Sequence, residues 1–245
     1  MRIAIISDVH GNLAAHEAVA DDIRCRGVDL TVNLGDSLSG PLLPLETAQF
    51  LMAQDWVHLA GNHERQLLTL GPGQRGASDE FAHSRLTAKE FDWMASLEPT
   101  IRLDPGVLLC HGTPHSDSEY LLEKVEPKQV RAVTLFELEA RLDRVDAKLI
   151  VCGHSHIPRS MRTSTGQLVV NPGSVGLQAY DDTKPYPHTI ETGSPDARYA
   201  IVERRDGAWI SELISVPYSH QAMAALALAR RRPEWARALS TGRIT

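Results

Sequence analysis

Five groups of side chains able to bind metal or move protons stand directly after short apolar runs. Ile5-Ile6 leads to Asp8-Val9-His10, and Val32-Asn33-Leu34 leads to Gly35-Asp36. Val57 to Ala60 leads to Gly61-Asn62-His63-Glu64. Leu108-Leu109-Cys110 leads to His111-Gly112, and Ile150-Val151-Cys152 leads to Gly153-His154-Ser155-His156. The functional groups gathered there are carboxylate, imidazole and amide, without thiolate. That set suits hard or borderline divalent ions such as Mn, Fe(II) or Zn. Taken singly, each group has a plainer reading. Asp8 could cap a helix near Asn12, Asp36 could start a turn, His111 could be a satisfied core histidine, and 153–156 could be a loop. Jointly the plain readings fail, because five separate strand ends would each carry a ligand-type residue by accident. Gly11, Gly35, Gly61, Gly112 and Gly153 flank the same positions, where the backbone must bend tightly.

The elements that position these groups alternate between short apolar runs and helical patterns, which predicts an α/β layered fold. Strands are expected at Ile3 to Ile6, Leu30 to Leu34, Trp56 to Ala60, Val107 to Cys110 and Lys148 to Cys152. Helices are expected from Asn12 to Arg26 with Gly27 as the stop, from Pro44 to Ala53, and in pieces from Glu64 to Leu97, broken at Gly71-Pro72-Gly73. Pro127 suits the first turn of a helix running to Leu142. After His156 the pattern turns antiparallel, with strands at Met161 to Thr163, Leu168 to Val170, Tyr199 to Val202 and Trp209 to Ile214. Gly176 to Pro195 reads as a long loop whose Tyr180, Asp181, Asp182 and His188 could form a lid. A last helix from Ser219 to Arg232 is expected to end at Pro233, with Arg230-Arg231-Arg232 solvated at its C-terminus. Ligands in open α/β sheets bind at the carboxyl ends of strands. If the five strands share a sheet, their five clusters meet at one edge.

The 245 residues carry no linker, repeat or low-complexity tract, so one domain over 1–245 is expected. Net charge is -6, which argues against broad nucleic-acid or anionic-membrane binding but not against a small phosphorylated substrate that meets metal ions. Cys25, Cys110 and Cys152 make no disulfide framework, and the last two read as small buried core residues. The N-terminus turns polar too soon for a signal peptide, and no apolar stretch approaches a membrane span. A reducing cytoplasm is the expected compartment.

The ordered blocks Asp8-x-His10, Gly35-Asp36, Gly61-Asn62-His63-Glu64, His111 and Gly153-His154-x-His156 resemble those of the calcineurin-like metallophosphoesterases. Asn171-Pro172-Gly173-Ser174 is similar to a loop of the small bacterial members, so the resemblance covers about the first 175 residues. It implies a sandwich of two packed mixed β-sheets flanked by helices. It implies that Asp8, His10 and His156 bind one metal, that Asn62, His111 and His154 bind a second, and that Asp36 bridges both. The cofactors would be two divalent ions, Mn foremost, with Fe, Zn, Ni, Co or Mg as alternatives. A hydroxide bridging them would attack phosphorus, with His63 catalytic rather than ligating and Glu64 supporting the ligands.

The second block departs from the protein Ser/Thr phosphatases of the superfamily. Ser39 stands where they place the acidic support of the catalytic histidine, and Gly40 where they place a phosphate-gripping Arg. That favours small phosphodiesters or phosphomonoesters, including nucleotides, over phosphoproteins. The alternatives are a protein Ser/Thr phosphatase and a non-catalytic scaffold, since a retromer subunit of this fold is an interaction protein. His115, Ser116 and Asp117 read as a surface loop, with contact to substrate as the alternative, and His16, His58, His83 and His220 as structural or surface residues. The native metal, the physiological substrate and the oligomeric state are not written in the residues.

Overall fold

The structure is a computed structural model that describes residues 1–104 and 106–244. It opens with β1 (Arg2–Ile6), α1 (Leu13–Arg26), β2 (Leu30–Asn33), α2 (Pro44–Met52) and β3 (Val57–His58). Three short helices follow: α3 (Asn62–Thr69), α4 (Ala77–His83) and α5 (Ala88–Ala95). Then come β4 (Thr100–Asp104), β5 (Val107–Cys110), β6 (Glu123–Glu126), β7 (Gln129–Ala132), α6 (Leu135–Arg141) and β8 (Leu149–Val151). The chain continues through β9 (Arg159–Arg162), β10 (Leu168–Asn171), β11 (Ala179–Asp182), β12 (His188–Glu191), β13 (Ala197–Arg205) and β14 (Ala208–Val216). It closes with α7 (His220–Ala229) and α8 (Pro233–Thr241).

Two mixed five-stranded sheets form the body, in the orders β14-β13-β1-β2-β3 and β4-β5-β8-β10-β9. In the first, β1, β2 and β3 are parallel; in the second, β5, β8 and β10 are parallel. The strand period of two divides β1 cleanly. Ile3 and Ile5 face the other sheet and pack with Val32, Val107, Leu109 and Val151. Ala4 and Ile6 face outward and pack under Val19 and Ile23 of α1. On the far side of the second sheet, Leu138 and Leu142 cover Leu108, Ile150, Cys110 and Cys152, so both cysteines are buried core residues as expected. Burying a Leu or Ile of this kind is worth roughly 1.5–3 kcal/mol, so the inter-sheet layer is what holds the two sheets' ends in register. No helix among the described residues is long and apolar enough to cross a membrane.

Several expectations from the sequence are corrected. The two mixed sheets that the resemblance implied are present, and the condition that all five strands share one sheet is not met: three clusters follow strands of the first and two follow strands of the second. They converge because β1, β2 and β3 of one sheet and β5 and β8 of the other deliver their carboxyl ends to one end of the sandwich. The helix expected from Pro127 starts only at Leu135, where Thr134 caps it by accepting from the Glu137 amide at 3.2 Å. Pro127 instead turns the β6–β7 hairpin, whose register pairs Glu126 with Gln129. A fixed φ near −65° serves the first position of a turn as well as the first turn of a helix. Gly176 to Pro195 contains the β11–β12 hairpin rather than an unstructured loop. The helix expected from Ser219 is α7, which stops at Ala229, and it is not the last: Pro233 opens a further helix, α8. Arg230 and Arg232 do not form a solvated terminus. Arg230 donates to the Pro41 and Leu42 carbonyls and lies 4.7 Å over the Phe81 ring. Arg232 donates to Ser78 Oγ at 3.1 Å and to the Glu234 carboxylate. Strand β4, which pairs with β5, went unread in the sequence.

Candidate metal centre

Each cluster sits in a sharp bend where a strand ends. Asp8, His10, Asp36, His154 and His156 all hold left-handed backbone, with φ of 58°, 51°, 53°, 67° and 58°. For non-glycine residues this costs of order 1–3 kcal/mol each and persists only where the surroundings fix it. Here they do. The Asp8 amide donates to Gly35 O and the His10 amide to Asp36 O, both at 3.0 Å, tying the first two clusters together. Gly153 N donates to His111 O at 2.6 Å, tying the last two. The Asn171–Ser174 loop joins the sets: Asn171 Nδ2 donates to Gly153 O at 2.7 Å and Ser174 Oγ to Asp8 O at 2.7 Å. Glu64 accepts from the amides of Asp36, Ser37 and Gly61, each at 2.8 Å, so its buried carboxylate splints the second and third clusters. It supports the ligand loops. Gly61 has no room for a side chain, because a β-carbon there would overlap the Asp36 carboxylate.

The bends place two groups of ligand atoms within 4.8 Å of one another: Asp8, His10 and His156, and Asp36, His111 and His154. In the first, His10 Nε2 and His156 Nε2 are 3.1 Å apart, and His156 Nε2 is 3.3 Å from Asp8 Oδ1. In the second, His111 Nε2 lies 3.1 Å from Asp36 Oδ2 and 3.2 Å from Asn62 Oδ1. Asp8 Oδ1, 4.0 Å from His111 Nε2, links the groups. All seven residues named from the sequence are therefore brought together.

Three of the imidazoles are oriented for ligation. Nδ1 of His10, His111 and His156 donates to the carbonyls of Ser39 (2.7 Å), Leu34 (2.8 Å) and Leu177 (2.8 Å). Where the ring is neutral, Nε2 is then a bare lone pair aimed into the site; burial favours that form in His111, but Asp36 and Asp8 outweigh it and hold the ring up to about 10, so His111 offers its lone pair on giving up a proton. Asp8 Oδ1 is fully buried and has no hydrogen-bond partner. Two nitrogens held about 2.1 Å from one ion at a right angle stand about 3.0 Å apart, close to the observed His10–His156 separation. The donor set thus fits divalent cations.

Burial and charge set the protonation states. Burial pushes His10 and His154 down to about 4, leaving them neutral. Burial opposes ionisation of Asp8, yet the neighbouring His156 and His111 hold it down to about 2. Asp36 is likewise held well below the carboxylate range, chiefly by His111 and His63 against its own burial. Its charge acts in turn on His10, His63, His111 and His154, which marks it as central to both groups.

His63 faces the site without belonging to either ligand group. Its Nε2 is 4.0 Å from Asp36 Oδ2, while Nδ1 donates to Asp79 Oδ1 at 2.7 Å. Burial alone would favour the neutral ring, but Asp36 and Asp79 outweigh it and hold the imidazole up to about 9. Asp79 sits on α4 and is only 2% exposed. The second motif's missing acid is thus replaced in space by a residue from another element. No sequence motif marks Asp79.

A cavity of about 400 Å³ lies over the ligands, lined by His10, Asp36, His63 and His156 below and by Leu177, Tyr180, Arg232 and Trp235 above. The Tyr180 ring lies 4.7 Å from that of His156, tilted by 59°, and its hydroxyl shares a 2.6 Å hydrogen bond with Tyr120, which also bonds His188 Nε2 at 3.0 Å. Tyr180, Asp181 and Asp182 therefore line the site as part of a packed hairpin. Trp235 also went unread; its indole packs where a β-carbon on Gly40 would stand. His115, Ser116 and Asp117 stay outside this cavity, and Asp117 instead accepts from Arg65 at 2.6 and 2.8 Å. His16 is buried between Phe50 and Trp56, a structural position as read.

Comparison with known proteins gives the family and the fold. The family model for the calcineurin-like phosphoesterase superfamily domain matches residues 1–192. An uncharacterized protein of Methanocaldococcus jannaschii is 27% identical over 95% of this chain and 94% of its own. The crystal structure of a metallophosphoesterase from Sphaerobacter thermophilus superposes with a TM-score of 0.77 at 25% identity, covering 99% of each chain. A hypothetical protein from Pyrococcus horikoshii shares the fold, with a TM-score of 0.75 at 16% identity over 100% of this chain and 99% of that one.

Proposed function

The chain belongs to the calcineurin-like phosphoesterase superfamily, and on that premise we propose that it is a two-metal hydrolase of small phosphodiesters. The observation that carries this reading is the pair of ligand groups set side by side with His63 at their rim. Asp8, His10 and His156 would hold one ion, Asn62, His111 and His154 the other, with Asp36 between them. Imidazole, carboxylate and amide donors suit Mn first, with Fe, Zn, Ni, Co and Mg as alternatives. Bound there, two divalent ions would supply Lewis acidity that lowers the pKa of water and offsets charge on phosphoryl oxygens.

The chain's own residues do the rest. Glu64 keeps the Asp36 and Asn62 loops in register by its three amide bonds. His63, with Nδ1 committed to Asp79, keeps the proton on Nε2 for the leaving oxygen. Gly40 leaves no guanidinium to grip a doubly charged terminal phosphate bidentately, and Trp235 fills that place. A diester carries less charge and loses less by this, so small diesters are favoured over phosphoproteins. The intact ligand set favours catalysis over a scaffold role. Three unpaired cysteines suit a reducing cytoplasm.

The test is His63→Asn. Metal content is expected to stay at the wild-type value while kcat falls by about 10²–10⁴-fold. The loss should be larger for alkyl diesters than for nitrophenyl ones, whose leaving group departs without a proton. Loss of a metal ion in this variant would show His63 to be a ligand. Faster wild-type turnover of a phosphoserine peptide than of any diester would overturn the substrate class.

A further inference from the structure

The ligand floor opens into two cavities. The first, of about 400 Å³, is lined by His63 and by ligands from both groups, His10 and His156 of one and Asp36 and His154 of the other. The second, of about 740 Å³, runs outward from Asn62 and His154 along Tyr120, Glu119, Val125 and Lys184. Asn62, Gln66, Tyr120, His154 and Asp182 line both, so the two meet over the second ligand group. His63 lines only the first.

We propose that the substrate is a phosphodiester bound across this junction, with its leaving alcohol in the first cavity and its retained ester group in the second. The proposal rests on the phosphodiesterase reading and assigns a place to each half of the molecule. Hydrolysis forms a P–O bond from water and breaks the P–O bond to the leaving alcohol. The electron pair departs on the alcohol oxygen, which takes its proton from His63. The proton lost by water returns through solvent to the imidazole. The leaving oxygen must therefore lie on the His63 side of phosphorus. The retained ester group then has to go elsewhere, and among the described residues the second cavity is the space that continues from the same floor.

The walls differ in the groups they suit. Above the ligands, the first cavity is closed by Leu177, Ala179, Trp235, Ala238 and Ile244, which suits a leaving alcohol with an apolar face. The second carries Glu119, Glu123 and Asp182 against Lys124, Arg141 and Lys184. Lys124 pairs with Glu137 at 2.8 Å, and Arg141 donates to the carbonyls of Tyr120, Leu121 and Glu123. Such a wall, polar and balanced in charge, suits a hydrogen-bonding retained group such as a sugar rather than an acyl chain. A monoester would leave this groove unused.

Three esters with one leaving group test the assignment: p-nitrophenyl phosphate, methyl p-nitrophenyl phosphate and thymidine 5′-p-nitrophenyl phosphate, all with Mn. Wild type should favour the thymidine diester over the methyl diester by at least about 10-fold in kcat/KM, a difference of about 1.4 kcal/mol. Glu119→Trp, at an exposed position on the groove wall, should abolish that preference and leave the methyl diester within about twofold. Val125→Trp provides a second obstruction in the same groove, with the same expected result. Ile244→Trp, in the first cavity, should slow all three esters together. Equal wild-type rates on the two diesters would overturn the proposal, as would a Glu119→Trp loss shared by all three esters. So would an Ile244→Trp loss that differs between the two diesters and so changes their wild-type ratio. Absence of turnover of every ester by the Mn-loaded wild type would remove the phosphoesterase reading itself, a separate and recognisable failure.

Discussion

His63 and Asp79 lie sixteen residues apart on neighbouring short helices, and their 2.7 Å contact decides which nitrogen of the imidazole faces the cavity. The imidazole is held up to about 9, so its charged form is present at neutral pH and lost as pH rises through that value. A proton donor of this kind gives kcat an alkaline limb. Removing the Asp79 charge leaves burial less opposed, so Asp79→Asn should move that limb to lower pH. Cations beside Asp36 lower the limb in both proteins, and the difference between them is the readout of a kcat–pH profile. An unmoved limb would reduce Asp79 to a packing residue. The ligands divide by a similar logic. Asp36 acts on histidines of both groups and His10 belongs to one. Metal analysis should therefore show Asp36→Asn losing both ions and His10→Ala losing mainly one.

The C-terminal helices form the roof of the site. The loop between α7 and α8 ties Arg230 to the Pro41 and Leu42 carbonyls and Arg232 to Ser78, the residue before Asp79. One connection thus steadies both the second motif and the helix that supports His63. Trp235 of α8 lies edge-on, 6.1 Å from His10. It packs with Leu42, Leu177 and Ala238. A β-carbon on Gly40 would meet both this indole and the His10 carbonyl. Gly40→Ala should accordingly cost about 1–3 kcal/mol by overpacking and weaken metal uptake by displacing His10. Thermal melts with metal titration would measure both. A variant with wild-type melting and uptake would mean that α8 yields freely.

Across the whole molecule, two sheets meet at the end where ionised Asp8 and Asp36 are buried among desolvated histidines. Cations bound to the folded chain relieve that charge arrangement, and binding to the native state alone stabilises it. An ion at 100 times its Kd adds about 2.7 kcal/mol. For a chain of 150–250 residues each kcal/mol moves Tm by about 2–4 °C, so each bound Mn should raise Tm by about 5–11 °C over chelator-treated protein. Scanning calorimetry with Mn and with EDTA checks this, and identical melting curves would contradict a metal-binding core.

The sequence by itself determined what rides on single strand ends. Apolar runs gave β1, β2, β5 and β8, and the candidate ligand residues sit within a few positions of those runs, so they could be picked out before any sheet was known, with the roles that the family resemblance implies. Glu64 was readable as a support because it lies two residues from Asn62 in the same motif. What only the tertiary structure decided is what depends on pairing between distant segments. The division of the strands between two sheets is set by packing across the Ile5–Val107–Val151 layer, which strand periodicity does not encode. Pro127 fits a helix start and a turn equally well, and the pairing of Val125 with Val130 decided between them. Asp79 and Trp235 carry no motif, because each acts through contacts with residues of other elements. Those contacts exist only once α4 and α8 have docked beside the metal ligands.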